Sequence, residues 1–171
     1  MSTRGIIAQA KGDGFEGVYQ HSDSYPNGLG PDLWQALQAR GAKAVVVEDI
    51  EAHRGGWSTY PDRCYCHTME RNGPEMVMTQ SQADWLFIEW GYVIDPDSNR
   101  LGVVVGLVRE PGDHAEFSER NGNRREWRED NYGYRLVGSF PIDGPEPEWS
   151  VLEEQGEQIR DDARRALGLS V

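Results

Sequence analysis

The feature that most constrains this fold is a pair of apolar segments, rich in β-branched and aromatic residues, on either side of a polar turn. The segments are residues 85–95 and 100–108, and the turn between them is Pro-Asp-Ser-Asn. This pattern predicts two antiparallel strands joined as a hairpin. Residues 4–10 and 15–22 flank Lys-Gly-Asp-Gly in the same way and predict a second hairpin. Residues 132–142 predict a fifth strand.

Helical spacing of apolar residues occurs in three other parts of the chain. Residues 31–40 begin with a proline suited to a first helical turn and end before Gly41. Residues 42–52 fit a strand, because three valines follow one another, or a helix, because the apolar positions also form a stripe; we favour the helix. Residues 148–167 predict a helix with one interior glycine. Residues 53–80 are expected to be irregular.

These elements predict an α+β fold, with an antiparallel sheet of about five strands and two or three helices on one face. We expect residues 1–171 to form a single domain. Residues 109–131 are dominated by charged side chains and are expected to form a mobile excursion from it.

Charge and hydropathy narrow the class of protein. The 171 residues carry 17 basic and 29 acidic side chains, a net charge of −12. This charge disfavours direct binding to nucleic acid or to anionic membranes, but it permits a basic protein partner. No apolar stretch approaches the ~20 residues of a membrane helix, and no signal peptide is visible. The two cysteines are too close for an ordinary disulfide framework, so we expect a cytoplasmic protein.

The first candidate site is the segment from Tyr19 to Tyr25. In an extended chain, Tyr19, His21 and Asp23 point to one side. An imidazole between a phenol and a carboxylate can act as a general base, or can bind a metal or a phosphate-bearing ligand. The alternative is that Tyr19 packs, His21 forms a hydrogen bond and Asp23 serves the following turn. The ligand-binding hypothesis adds Tyr25 and Trp57 to the pocket.

Two further sets of residues have side chains suited to chemistry. Glu89 lies in the centre of a predicted strand and is either exposed to solvent or a carboxylate that assists His21 and Asp23 in catalysis. His53, Cys64, Cys66 and His67 offer two imidazoles and two thiolates, which can complete a tetrahedral zinc site. The alternative for the cysteines is two free thiols, because the single-residue spacing is tighter than in most zinc motifs.

Three segments resemble a group of uncharacterised small proteins from actinobacteria and their phages. They are Tyr-Gln-His-Ser-Asp-Ser-Tyr-Pro-Asn-Gly-Leu-Gly at 19–30, Cys-Tyr-Cys-His at 64–67 and Glu-Trp-Gly-Tyr-Val-Ile-Asp at 89–95. Gly-Gly-Trp-Ser at 55–58 also matches the group, whereas Ser24 stands where its members usually have glycine. The resemblance implies a cytosolic setting and a role connected with mobile elements; it implies no catalytic activity.

The preferred hypothesis is therefore a small, acidic, soluble, cytosolic binding or regulatory protein, phage-encoded and acting on a host component. Its partner is a small molecule or nucleotide, held by the tyrosine, histidine and aspartate of the first site, or a basic host protein. One alternative is a hydrolase that uses His21 and Asp23 as an acid–base pair. The other is an acidic inhibitor that mimics nucleic acid.

Overall fold

A computed structural model describes residues 3–67, 75–80, 88–107 and 133–166. The described chain is α+β, with three α-helices and one open sheet of eight strands. The strands are β1 (Gly5–Lys11), β2 (Gly14–Gln20), β3 (Trp57–Thr59), β4 (Arg63–Cys64), β5 (Val77–Thr79), β6 (Trp90–Asp95), β7 (Arg100–Gly106) and β8 (Tyr134–Pro141). The helices are α1 (Pro26–Arg40), α2 (Ala42–Val45) and α3 (Trp149–Ala166).

The sheet is mixed rather than antiparallel, which corrects one part of the expected architecture. Its order is β4-β3-β2-β1-β6-β7-β8, and β5 also pairs with β2. Both predicted hairpins are present, as β1–β2 and β6–β7. However, β1 pairs with β6 in parallel, and β2 pairs with β3 in parallel. The prediction of five strands missed β3, β4 and β5, because strands of two or three residues are too short to show a period of two.

The helical predictions were largely confirmed. The segment after Gly41 is helical, as α2 followed by a π-helical turn at Val46–Glu51. Helix α1 begins at Pro26, five residues earlier than predicted, and continues through Pro31. Gly30, just before Pro31, allows close packing of this helix, since a Cβ there would lie 2.4 Å from the Trp149 ring. Residues 109–131, the predicted excursion, lie outside the described residues.

Two apolar cores lie on opposite faces of the sheet. Neighbouring residues of one strand alternate between them, as Ile6 and Ile7 of β1 do. The first core holds the buried apolar side chains of all three helices, so the described helices cover one face. The second core is formed by Ile6, Ala8, Phe15, Tyr19, Met78, Ile88, Val104 and Tyr134. Among the described helices, none has the length and apolar content that crossing a bilayer requires.

The interior glycine of α3 is explained by its contact with the sheet. Trp90 is 1% exposed, and its indole packs against Gly156 so closely that a Cβ there would lie 2.1 Å from the ring. The residue that lowers the helical propensity of this segment is therefore the residue that lets α3 approach β6.

Gly156→Ala should destabilise the protein by about 1–3 kcal/mol, because overpacking against a rigid, buried indole exceeds the ~1 kcal/mol gain in helix propensity. Urea unfolding followed by far-ultraviolet circular dichroism measures this change. The matched control is Gln155→Ala, an exposed position on the same helix, which should be neutral or slightly stabilising. Equal stability of wild type and Gly156→Ala would contradict the packing described here.

Candidate functional site

The edge of the sheet formed by the first residues of β1 and β6 and the last residue of β2 brings together residues that are distant in sequence. Gln20 at the end of β2 pairs with Gly5 at the start of β1, and Gly5 pairs with Trp90 at the start of β6. The residues next to these, His21, Arg4 and Glu89, therefore lie along the same edge. The amide of Glu89 donates to the Arg4 carbonyl oxygen at 3.0 Å, which joins two of these positions directly.

Tyr19 and His21 are in contact, as their alternation along β2 predicts. The Tyr19 hydroxyl oxygen and His21 Nδ1 are 2.7 Å apart. In the tautomer that carries its proton on Nε2, the phenol donates to Nδ1 and fixes the orientation of the ring. The backbone amide of His21 donates to the Trp57 carbonyl oxygen at 2.9 Å, so the main chain at this position is also held.

Tyr65 and Arg4 complete this group, and the sequence analysis missed both. The Tyr65 ring lies edge-on to the His21 ring, with centroids 6.5 Å apart. Burial raises the pKa of Tyr19, while the positive charge of Arg4 acts in the opposite direction. Arg4 is exposed at the sheet edge. Its only sequence signal is its position immediately before the first strand. We call Arg4, Tyr19, His21 and Tyr65 the edge cluster.

The other residues of the predicted pocket lie elsewhere. Asp23 is exposed, has a φ of 54° and makes no hydrogen bond to His21. This left-handed conformation places it in the turn that leads to α1, where aspartate is better tolerated than most residues. Tyr25 and Trp57 pack in the core under the helices, whereas Tyr19 belongs to the core on the opposite face. Of the five predicted residues, the structure thus brings together only Tyr19 and His21.

Glu89 contacts a buried arginine of α3. Arg160 is fully buried, and one of its terminal nitrogens lies 3.5 Å from the Glu89 carboxylate and 2.9 Å from that of Glu157. The guanidinium also donates to the backbone carbonyl oxygens of Gly106 and Glu89, each at 3.1 Å. It lies 5.8 Å from the centre of the Trp90 ring. The Glu89 side chain, 22% exposed, therefore takes part in the attachment of α3 to the sheet.

Three of the four predicted metal ligands lie close together within the segment formed by residues 53–67. The potential ligand atoms of His53, Cys64 and Cys66 all lie within 4.8 Å of one another. Cys64 is buried, and His53 and Cys66 are half-buried. Burial raises the pKa of the Cys66 thiol, and the neighbouring Cys64 acts in the same direction. His67 lies in the short 3-10 helix Tyr65–His67, but its side chain is outside the described residues, so its predicted role as a ligand stays a prediction.

Backbone hydrogen bonds hold this cluster of ligands in place. The Gly56 amide closes a turn onto the His53 carbonyl oxygen at 2.7 Å, and the Tyr65 amide donates to the Gly56 carbonyl oxygen at 2.9 Å. Gly56 has a φ of 77°, which favours glycine. A Cβ at Gly55 would lie 3.1 Å from the Cys66 sulfur, so the absence of a side chain there lets the thiol approach the turn.

A buried polar network supports the segment formed by residues 53–67 on the side that faces the helices. The Tyr60 hydroxyl donates to the Asp49 carboxylate at 2.6 Å, and Arg40 forms an ion pair with that carboxylate. The Trp57 indole nitrogen donates to the Asp49 carbonyl oxygen at 3.0 Å. Burial and the contact with Asp49 raise the pKa of Tyr60 far above its usual range.

A second buried tyrosine lies elsewhere in the core. Burial also raises the pKa of Tyr92 well above its usual range, and its hydroxyl donates to the Ser24 carbonyl oxygen at 2.8 Å.

A shallow groove of about 360 Å³ lies on the same face of the sheet as Tyr19, at the opposite end of β2. Its walls are mainly apolar and include Phe15, Val104 and Tyr134. The guanidinium of Arg100 at this groove is engaged by Ser139, through its hydroxyl at 2.9 Å and its carbonyl oxygen at 2.6 Å. Arg100 is thus held by Ser139 of the adjacent strand, β8.

Comparison of the chain with protein-family models, with curated proteins and with solved structures gives no match.

Arg160→Lys should destabilise the protein by about 2–4 kcal/mol. A single ammonium cannot reproduce the planar fork, and a buried carbonyl oxygen that loses its donor costs roughly 1–3 kcal/mol. Chemical denaturation measures the loss. Arg165→Lys, at a side chain that is 56% exposed, is the matched control and should change stability by less than about 0.5 kcal/mol. A similar effect of the two substitutions would show that Arg160 does not anchor the helix.

Stability should fall as the pH rises above about 10, the pKa of tyrosine in an unfolded chain. A tyrosine whose pKa is raised by folding contributes stability that is complete below this value and is lost as the pH rises through the folded pKa. Each such residue contributes a slope of about 1.4 kcal/mol per pH unit. Urea unfolding at several alkaline pH values measures the slope, and Tyr60→Phe should reduce it by one such increment. An identical slope in Tyr60→Phe would show that this hydroxyl titrates normally in the folded protein.

Proposed function

We propose that this chain is a small binding protein with a regulatory role, and that its ligand is a phosphate-bearing small molecule such as a nucleotide. The proposed contact surface is the edge cluster. The single observation that carries the proposal is the 2.7 Å contact between the Tyr19 hydroxyl and His21 Nδ1, which holds an imidazole in one orientation on the sheet edge where the exposed Arg4 also lies.

The composition of the edge cluster favours an anionic ligand. A guanidinium presents a planar set of donors suited to phosphate oxygens, and the imidazole adds a further donor at Nε2 when Tyr19 donates to Nδ1. The chain as a whole has a net charge of −12, so an anion would be repelled from most of its surface. A local group of cationic and neutral donors is therefore where an anion would bind. The half-buried ring of Tyr65 adds surface against which a base or sugar can pack.

The hydrolase alternative receives less support from the same geometry. That alternative requires Asp23 to orient His21 and Glu89 to assist. In the structure the imidazole contacts Tyr19, Asp23 lies in the adjacent turn, and the Glu89 carboxylate contacts Arg160. A phenol of raised pKa is a poorer partner for an imidazolium than a carboxylate, because it carries no negative charge to stabilise the protonated ring.

One observation favours the second candidate, an acidic protein that occupies a basic groove. In sequence, arginines interrupt the acidic residues of α3 and weaken any resemblance to a nucleic-acid backbone. In the folded protein Arg160 and Arg164 are buried, whereas Glu154 and Asp162 are exposed. The outer face of α3 is therefore more acidic than its sequence indicates.

The test is isothermal titration calorimetry of the full chain with adenosine monophosphate, uridine monophosphate and inorganic phosphate. Saturable binding is expected, and His21→Ala and Arg4→Gln should each weaken it by about ten-fold or more, since a hydrogen bond to a charged group contributes about 1.5–3 kcal/mol. Tyr19→Phe should weaken it as well, because the imidazole then loses the hydrogen bond that orients it. Lys11→Gln is the matched control for Arg4→Gln. It removes one exposed positive charge from the first hairpin, at a lysine that pairs with Glu16 at 2.7 Å, and should leave the affinity unchanged.

Three results would count against this proposal. Equal weakening by Arg4→Gln and Lys11→Gln would reduce the effect to net charge. Release of phosphate or nucleoside by the wild type, lost in His21→Ala, would favour the hydrolase. The absence of any binding, together with salt-sensitive capture of a basic protein that Glu154→Gln weakens, would favour the acidic inhibitor.

A further inference from the structure

We propose that this chain binds one Zn²⁺ ion through His53, Cys64 and Cys66. The site lies where the turn at residues 53–56 meets β4 and the 3-10 helix that follows it. It uses only ligands whose side chains the structure describes, and the fourth position of a tetrahedral ion is left to water or to a further side chain.

The donor set selects the metal. Two thiolates and one imidazole are ligands typical of Zn²⁺, and three protein ligands with one open position are a common arrangement for this ion. Around tetrahedral zinc the ligand atoms lie about 3.5–3.8 Å apart, as follows from Zn–S and Zn–N distances of about 2.3 and 2.0–2.1 Å. In the structure they lie within 4.8 Å of one another, so contraction onto an ion requires movements of about an ångström.

The main chain brings the ligands to this separation before any metal binds. Trp57 in β3 is the pairing partner of Cys64 in β4, and the Tyr65 amide bonds to the Gly56 carbonyl oxygen. The two segments that carry the ligands are therefore joined by two consecutive pairings next to the cluster. The Trp57 indole also packs against the His53 imidazole, with ring centroids 4.2 Å apart and an angle of 38° between the planes. This contact limits the orientations that the imidazole can take.

The chain at residues 64–66, where β4 passes into the 3-10 helix, directs both sulfurs to one side. Cys64 and Cys66 pack against the core under the helices, whereas Tyr65 packs against the core on the opposite face and approaches His21. A Cys-x-Cys spacing thus delivers two thiols to one site while the residue between them serves the edge cluster. On binding, each thiol forms a Zn–S bond and releases its proton to solvent, so no oxidant or reductant takes part.

The experiment uses the full chain purified under reducing conditions. Elemental analysis is expected to give one zinc per chain. After removal of metal with a chelator, titration with Co²⁺ should produce a sulfur-to-cobalt charge-transfer band and strong visible d–d bands at one equivalent, and added Zn²⁺ should abolish both. Cys66→Ser and Cys64→Ser should lose most of the charge-transfer intensity, and His53→Ala should weaken the affinity at least ten-fold. Absence of the charge-transfer band in the wild type, or an unchanged band in Cys66→Ser, would overturn the proposal.

Two measurements keep the test valid if a variant folds poorly. Near-ultraviolet circular dichroism reports on folding, and Cys64→Ser is the variant most at risk of misfolding because Cys64 is buried. In the wild type, Zn²⁺ should slow alkylation of the thiols by iodoacetamide, and alkylation at the same rate with and without Zn²⁺ would count against the site. His21→Ala separates this inference from the proposed function, because it should lose phosphate binding and retain the cobalt spectrum, whereas Cys66→Ser should do the reverse.

Discussion

The attachment of α3 to the sheet depends on the buried guanidinium of Arg160. Arg160 is fully buried and donates to two backbone carbonyl oxygens at the ends of neighbouring strands, while its charge is balanced by Glu89 and Glu157. A buried charge is stable only when its partners are fixed. The helix must therefore lie where those strand ends are, and Gly156 lets it come close enough for the Trp90 indole to fit beneath it. The other contacts of α3 follow from this placement, including that of Trp149 with Gly30 of α1.

The segment 53–67 joins the edge cluster to the three potential metal ligands. Its main chain pairs with the end of β2, which carries Tyr19 and leads to His21. Its side chains divide between the faces of the sheet, with the sulfurs on one and Tyr65 on the other. Below it, the Asp49 carboxylate receives hydrogen bonds from Tyr60 and Arg40 and restrains the segment from the helical side. A change in the position of residues 64–66 would thus alter the geometry of both the edge cluster and the three potential metal ligands.

Long elements were predicted from sequence because their periodicity spans many residues. Both hairpins, the helix that ends at Gly41 and the helix after Trp149 are present. Short elements were not, since β3, β4 and β5 have two or three residues each and acquire their extended form from the strands they pair with. The parallel pairing of β1 with β6 was missed for a related reason: local patterns report which segments are strands and not which neighbours they choose. For the candidate sites, alternation in an extended chain predicted the contact of Tyr19 with His21, which the structure shows. Residue type, rather than spacing, grouped Cys64 and Cys66 with His53, because their single-residue spacing is tighter than in most zinc motifs.

By itself, the sequence determined the polarity pattern of its long elements, the net charge and the residue types available for chemistry. Tertiary structure alone decided that Tyr65 approaches His21 and that Arg4 lies on the same sheet edge. It also decided that Glu89 contacts Arg160, and that Tyr25 and Trp57 belong to the core under the helices. The physical reason is that each of these outcomes depends on strand order and on which face of the sheet a side chain occupies. Both are set by packing between distant segments, which the hydrophobic periodicity of a single segment does not report.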